Sequence, residues 1–188
     1  MFDYLINLSK KTRHKLFRIQ ISFGIWILNT FGNKKYCQQL RALIYRAPSG
    51  SIGHEINSFL IANRLELVPH YEHHDFKHAI LNFNSEPEDE MKMQAFMFGN
   101  SGFSVTSLAI YGLFILYTPE MWFDMPYYYR LGKLCKNIGE FTPEELCDKD
   151  MVLFRKYIGI QEAQYELESY RTYESRNLVY LIFERQVA

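Results

Sequence analysis

Apolar residues along this chain recur mostly at every third or fourth position, the period of a helix face rather than of a strand. Ile52, Ile56, Phe59 and Leu60 share one side of the stretch from Ile52 to Asn63, and Ser51 stands before it as an N-cap. Lys34 to Arg46 forms a short helix stopped by the turn residues Ala47-Pro48-Ser49-Gly50. Val68-Pro69 marks a new start, and Tyr71 to Leu81 reads as the next helix. Ser85 and Glu88 have capping-box spacing with Pro87 in the first turn, which predicts a helix from Ser85 to Phe98. Ser104 to Tyr117 then reads as a buried apolar helix and Tyr127 to Ile138 as another. Thr142 to Tyr157 follows as a single helix, opened by Thr142-Pro143-Glu144-Glu145 and ended by Gly159. Leu178 to Phe183 is apolar with strand-like residues and stays open between helix and strand. The expectation is an all-α, single-domain helical bundle.

Lys10 to Phe31 begins with Lys10, Lys11, Arg13, Lys15 and Arg18 and ends in aromatic and aliphatic residues. That composition suits a helix lying on an anionic membrane surface as well as a terminal helix packed on a core. Its apolar part, Phe23 to Leu28, is far short of the ~20 residues a bilayer span needs. The uncharged stretch from Met93 to Pro119 is interrupted by Asn100, Ser101, Ser104, Thr106 and Ser107, so it reads as buried and not membrane-spanning.

Composition narrows the functional classes. Lysine plus arginine and aspartate plus glutamate both number 21, which leaves no global basic field and argues against nucleic acid as a partner. Cys37, Cys135 and Cys147 are odd in number and lack metal-type spacing, so a reducing compartment is the simpler reading. With no secretory pattern at the start, the expected location is cytoplasmic and peripheral to the membrane. With 15 Phe and 14 Tyr, the chain has side chains for a bulky core or for a cleft that takes a large apolar ligand.

Candidate chemistry concentrates in one string: His74, Asp75, His78 and, after eleven further residues, Glu90. On a helix, His74, Asp75 and His78 fall at about 0°, 100° and 40°, within a third of the circumference. The two imidazoles can share a divalent ion, and Asp75 can bind it too or orient an imidazole. One unbroken helix would carry Glu90 about 18 Å past His78. The turn and capping residues between Asn82 and Pro87 instead predict a reversal, which brings Glu90 back beside His78 as a helix-turn-helix metal site. His14, His54, His70 and His73 have no partnered pattern and read as ordinary surface or core histidines.

The string His74-Asp75-x-x-His78 followed by Glu90 resembles the metal-binding motif of the coenzyme Q biosynthesis protein 4 family. Ala47-Pro48-Ser49-Gly50-Ser51-Ile52-Gly53 is similar to that family's Pro-x-Gly-(Ser/Thr)-Leu-Gly segment, and Phe154-Arg155-Lys156-Tyr157-Ile158-Gly159-Ile160 to its closing Leu-Arg-x-x-Leu-Gly-Ile stretch. Asn82 departs from the glycine usual there, but asparagine also tolerates a left-handed helix end. The resemblance covers residues 35 to 160. It divides the chain into an N-terminal basic and apolar helix (1–33), a metal-binding helical domain (34–160) and a C-terminal extension (161–188).

The resemblance implies a helical, peripherally membrane-associated protein of ubiquinone biosynthesis. It implies a metal on His74, Asp75, His78 and Glu90 beside a groove for a polyprenylated benzoate-type intermediate. The chemistry implied is loss of the ring C1 carboxylate with introduction of a hydroxyl, a metal-dependent and oxidative decarboxylase activity. Zinc is the default ion, with magnesium, manganese and iron as alternatives for so oxygen-rich a set. Phe96, Met97, Leu108, Leu113 and Phe114 are candidates for the prenyl groove, against the simpler reading of bundle core. The alternative function is a non-catalytic lipid-binding scaffold for other quinone-biosynthesis enzymes, with a structural metal. A homodimer is compatible with either. A metal-dependent phosphohydrolase is suggested only by the His-Asp pair and lacks partner residues.

Overall fold

The computed structural model describes residues 9–102, 115 and 117–169. Helices follow one another as α1 (Lys10–Phe31), α2 (Lys34–Arg46), α3 (Ile52–Asn63), α4 (Glu72–Leu81), α5 (Pro87–Asn100), α6 (Met125–Leu134), α7 (Pro143–Cys147) and α8 (Met151–Ile158), with a helical stretch at 160–169. Among the described residues the fold is all-helical, and its one extended pairing is an isolated bridge between Ser51 and Asp150. The expected Ser104–Tyr117 helix lies outside the described residues except for Ile115 and Tyr117, and Leu178 to Phe183 lies wholly outside them.

Local chemistry sets the helix ends. Ser9, Asn33 and Ser51 each accept a backbone N–H from the first turn of α1, α2 and α3, as N-caps do. Two expectations are corrected at other ends. The Ser85–Glu88 capping box does not form: α5 starts at Pro87, Ser85 turns its hydroxyl to Asn63, and Glu88 pairs instead with Lys10 and His14 of α1. The stretch from Thr142 to Tyr157 is two helices, not one. Thr142 and Glu145 do form a capping box on α7, but Asp150 caps a second start by accepting from Leu153 N at 2.8 Å. That break lets Ile52 N donate to the Lys149 carbonyl and Met151 N to the Gly50 carbonyl, so the starts of α3 and α8 are stitched together.

Helix α6 also ends earlier than its composition predicts, because Asn100 of α5 caps it from outside. The Asn100 amide donates to the carbonyls of Gly132, Cys135 and Lys136 and accepts from Ile138 N at 2.9 Å. Helices α5 and α6 touch backbone to backbone: a Cβ on Gly99 would collide with the Tyr129 carbonyl, and one on Gly132 with the Phe96 carbonyl. The main core joins Leu40 and Ile44 of α2, Ile56 of α3, Phe76 and Ile80 of α4, Met93 and Phe96 of α5, Leu131 of α6 and Ile158 of α8. A smaller cluster of Phe17, Met91, Tyr117 and Met121 ties α1 to α5. No helix among the described residues is long and apolar enough to cross a membrane.

Candidate metal centre

The reversal between α4 and α5 builds the site. Asn82 ends α4 in the left-handed conformation (φ 58°, ψ 45°), the role for which an asparagine in place of glycine suffices. Phe83 N then donates back to the His78 carbonyl at 3.0 Å, and Pro87 opens α5 with its fixed φ. The turn sets Glu90, in the first turn of α5, against the His74–His78 face of α4.

Three of the four predicted side chains converge. His74 Nε2 lies 3.0 Å from Glu90 Oε2 and His78 Nε2 lies 3.0 Å from Glu90 Oε1, and donor atoms of the three residues all lie within 4.8 Å of one another. His78 and Glu90 are buried and His74 is nearly so. Asp75 stands behind this group, its Oδ1 3.6 Å from His74 Nδ1 on the far side of the imidazole. The two rings are walled by aromatics: Phe59 of α3 stacks on His78 at 5.3 Å, and Tyr71 lies 4.5 Å from His74.

The backbone fixes the histidine chemistry. His78 Nδ1 is 3.1 Å from the Phe83 carbonyl oxygen, which can only accept, so Nδ1 carries a proton. A neutral His78 therefore points the lone pair of Nε2 at a carboxylate oxygen 3.0 Å away. Two lone pairs face each other stably only with positive charge between them, as a proton or as a cation. His74, flanked by Glu90 and Asp75, has the same requirement. Burial alone would push the His74 imidazole down, but the charge of Glu90, the hydrogen bond to it and the nearby Asp75 carboxylate outweigh it and raise it to about 9. Burial would raise Glu90, yet both histidines hold its carboxyl down at about 2. Two imidazole nitrogens and a carboxylate at this spacing fit a small divalent cation, with Asp75 placed to orient His74 from behind.

The remaining candidates fall elsewhere. Phe96 and Met97 are buried in the helix core, and Leu108, Leu113 and Phe114 lie outside the described residues. A cavity of about 360 Å³ lies beside the first half of α2, lined by residues including Asn29, Lys34, Cys37, Arg41 and Leu67. His70 and His73 are exposed and do not join the group. His14 has a carboxylate beside it that its sequence pattern does not show: its Nε2 lies 3.4 Å from Glu88, in a cluster with Glu120. Lys10 and Arg13 already neutralise those two carboxylates, so this cluster is a latch between α1 and α5. Sequence reasoning missed Phe83, whose contribution is a main-chain oxygen that no residue type announces. It also missed Phe59, which reaches His78 from a separate helix.

An all-helical fold with two histidines and a glutamate gathered on a helical hairpin defines a class of helical proteins with a candidate metal centre. Comparison with known proteins narrows the class. The family model for coenzyme Q (ubiquinone) biosynthesis protein Coq4 matches residues 67–164, which include His74, Asp75, His78 and Glu90. The chain belongs to that family. Proteins named ubiquinone biosynthesis protein coq4, mitochondrial, from Aspergillus fumigatus and Pyrenophora tritici-repentis are 33% and 30% identical to it over 95 residues. That alignment takes in 48% of this chain, which spans about a third of the length of the curated relatives it matches. A crystal structure of a Nostoc punctiforme protein, provisionally named for ubiquinone biosynthesis, superposes with a TM-score of 0.50. It covers 62% of this chain and 66% of its own at 19% identity, which is a likeness of fold.

Proposed function

We propose that this chain acts in ubiquinone biosynthesis by holding a divalent metal ion, zinc by default, on His74, His78 and Glu90, with Asp75 as a fourth ligand or as the group that orients His74. The observation that carries the reading is the Phe83 carbonyl on His78 Nδ1, which leaves the opposite nitrogen facing Glu90 across a gap that calls for positive charge. The substrate is a polyprenylated benzoate-type ring, and the reaction replaces its C1 carboxylate by hydroxyl. When bound, the ion supplies Lewis acidity to a substrate carboxylate or phenolate oxygen.

The chain's own residues have defined parts in this reading. Asp75 and the Phe83 carbonyl hold the two imidazoles in orientation, while the rings of Phe59 and Tyr71 shield them from water. With water as the source of the new oxygen, replacing carboxylate by hydroxyl releases carbon dioxide, a proton and a pair of electrons. Zinc takes no electrons, so the reaction needs an external acceptor or a redox-active ion in its place.

A second reading has an observation of its own: the three side chains bridge α4 and α5, so an ion there would also staple the hairpin. In that case the chain is a lipid-binding scaffold for other quinone-biosynthesis enzymes. Elemental analysis and lipid mass spectrometry on protein purified from its native host test both. A stoichiometric divalent metal that is lost in Glu90→Gln, together with a co-purifying polyprenyl compound, is the expected result. Absence of both metal and polyprenyl compound overturns the proposal. Unfolding of Glu90→Gln on metal loss, with no turnover by the wild type, favours the scaffold.

A further inference from the structure

Helix α1 contains five basic residues and no acidic one. Its core side is narrow: Arg13 and Phe17 are buried, with His14, Gly24 and Leu28 half-buried beside them. On the opposite side Leu16, Ile19, Phe23, Trp26 and Ile27 are all exposed. At about 100° per residue these five fall within an arc of about 100°, a continuous apolar stripe pointing away from the protein. Phe23 is 61% and Trp26 59% exposed, and their rings stack at 5.8 Å. So large an aromatic and aliphatic patch is costly in water without a partner.

The charges around the stripe decide the partner. Lys10, Arg13 and Arg18 are taken up by Glu88, Glu120 and Glu86, which anchor α1 across the start of α5. Lys11 and Lys15 lie along one edge of the stripe, exposed and with no acidic partner among the described residues. An apolar stripe fringed by free lysines, with tryptophan among its exposed residues, complements an anionic lipid surface: side chains enter the acyl boundary while ammonium groups meet headgroup phosphates. A second copy of α1 would bring those lysines together, and an acidic protein groove would leave the tryptophan's preference for a membrane interface unused.

We propose that α1 docks flat on an anionic bilayer through Leu16, Ile19, Phe23, Trp26 and Ile27, with Lys11 and Lys15 on the headgroups. Because Glu86 and Glu88 bind α1 only a few residues before Glu90, docking also fixes the α4–α5 hairpin relative to the bilayer. The docking surface stands on its own exposed residues; only its use, access to a substrate whose prenyl tail lies in the membrane, rests on the function proposed above.

The test is flotation of the full chain with vesicles of phosphatidylcholine and phosphatidylglycerol, against pure phosphatidylcholine. Binding is expected to the anionic vesicles. It should fall by about tenfold or more in Phe23→Asp/Trp26→Asp, and by about tenfold in Lys11→Glu/Lys15→Glu. Chelator-treated parent that keeps its far-ultraviolet circular dichroism should bind as the untreated protein does, which separates failure of docking from failure of the metal reading. In a Trp122→Phe background, brominated acyl chains should quench Trp26 emission, a readout that does not depend on how the stripe variants fold. No binding to anionic vesicles by folded protein, unchanged binding in both stripe and lysine variants, or an unquenched Trp26 each overturns the proposal. So does concentration-dependent self-association that the stripe variant abolishes while vesicles have no effect.

Discussion

Arg155 of α8 supports the helix that carries the histidines. The last carbonyls of a helix lack intrahelical partners, and at α4 two of them are met from outside. Arg155 Nε donates to the Ile80 carbonyl at 2.8 Å and Nη2 to the Ala79 carbonyl at 2.9 Å. The guanidinium is thus forked over the negative end of the α4 dipole, one turn beyond His78. Arg155→Met keeps the aliphatic stem but strands the Ile80 carbonyl, on a residue only 1% exposed. Two lost charged hydrogen bonds, one of which leaves a buried carbonyl unsatisfied, should cost about 3 kcal/mol. Arg155→Lys keeps the charge but not the fork and should recover about half of that. Urea unfolding followed by far-ultraviolet circular dichroism gives both values, with an unchanged m-value expected. Combined with Asn82→Ala, the two costs should be non-additive, because both act on the same helix end. A change below about 0.5 kcal/mol in Arg155→Met, or full rescue by lysine, refutes this account of what holds α4.

Gly132→Ala drives a methyl into the Phe96 carbonyl and should destabilise by about 3 kcal/mol, whereas Gly24→Ala, with open space around it, should stabilise by about 0.5 kcal/mol; thermal melts distinguish them. Asn82→Gly should be neutral and Asn82→Ala should cost about 1 kcal/mol, read by the same melts, because the residue is left-handed. In chelator-treated protein the histidine–glutamate group makes stability depend on pH at both ends. Glu90 is held at about 2 against an ordinary 4.5, so its contribution is complete above 4.5 and is lost as pH falls through 2. His74 is raised to about 9 against 6.5, so its contribution is complete below 6.5 and is lost as pH rises through 9. The metal-free melting temperature should therefore decline from 6.5 upwards, and a flat profile to pH 9 would contradict the pairing. Thr142→Ala should remove the α7 capping box and cost about 1 kcal/mol in urea unfolding.

The elements legible in the sequence are those whose signals are local. The periodicity of Ile52, Ile56 and Leu60, the cap Ser51 and the turn residues after Arg46 bound α2 and α3 where the structure has them. The turn residues between Asn82 and Pro87 likewise placed Glu90 beside the histidines. What stayed hidden depends on distant partners. Glu88 satisfies the capping-box spacing, yet Lys10 and His14, more than seventy positions earlier, claim its carboxylate. Asn100 ends α6 from another helix, so no residue inside α6 predicts that stop. The break before α8 needed the Ser51–Asp150 pairing, which joins segments about a hundred residues apart. The Asp75 side chain lies behind His74, a placement that helix angles alone leave open.

The Phe83 carbonyl also says how this hairpin can and cannot be altered. Since the oxygen belongs to the main chain, replacing the phenyl group with another side chain leaves the proton on His78 Nδ1 where it is. Adding or deleting a single residue between His78 and Phe83 swings the carbonyl away and frees the ring to tautomerise. The orientation of a candidate ligand is thus encoded in loop length rather than in residue identity: substitution at position 83 alters packing against Tyr128 and leaves the ring's partner in place, whereas a change of register removes that partner.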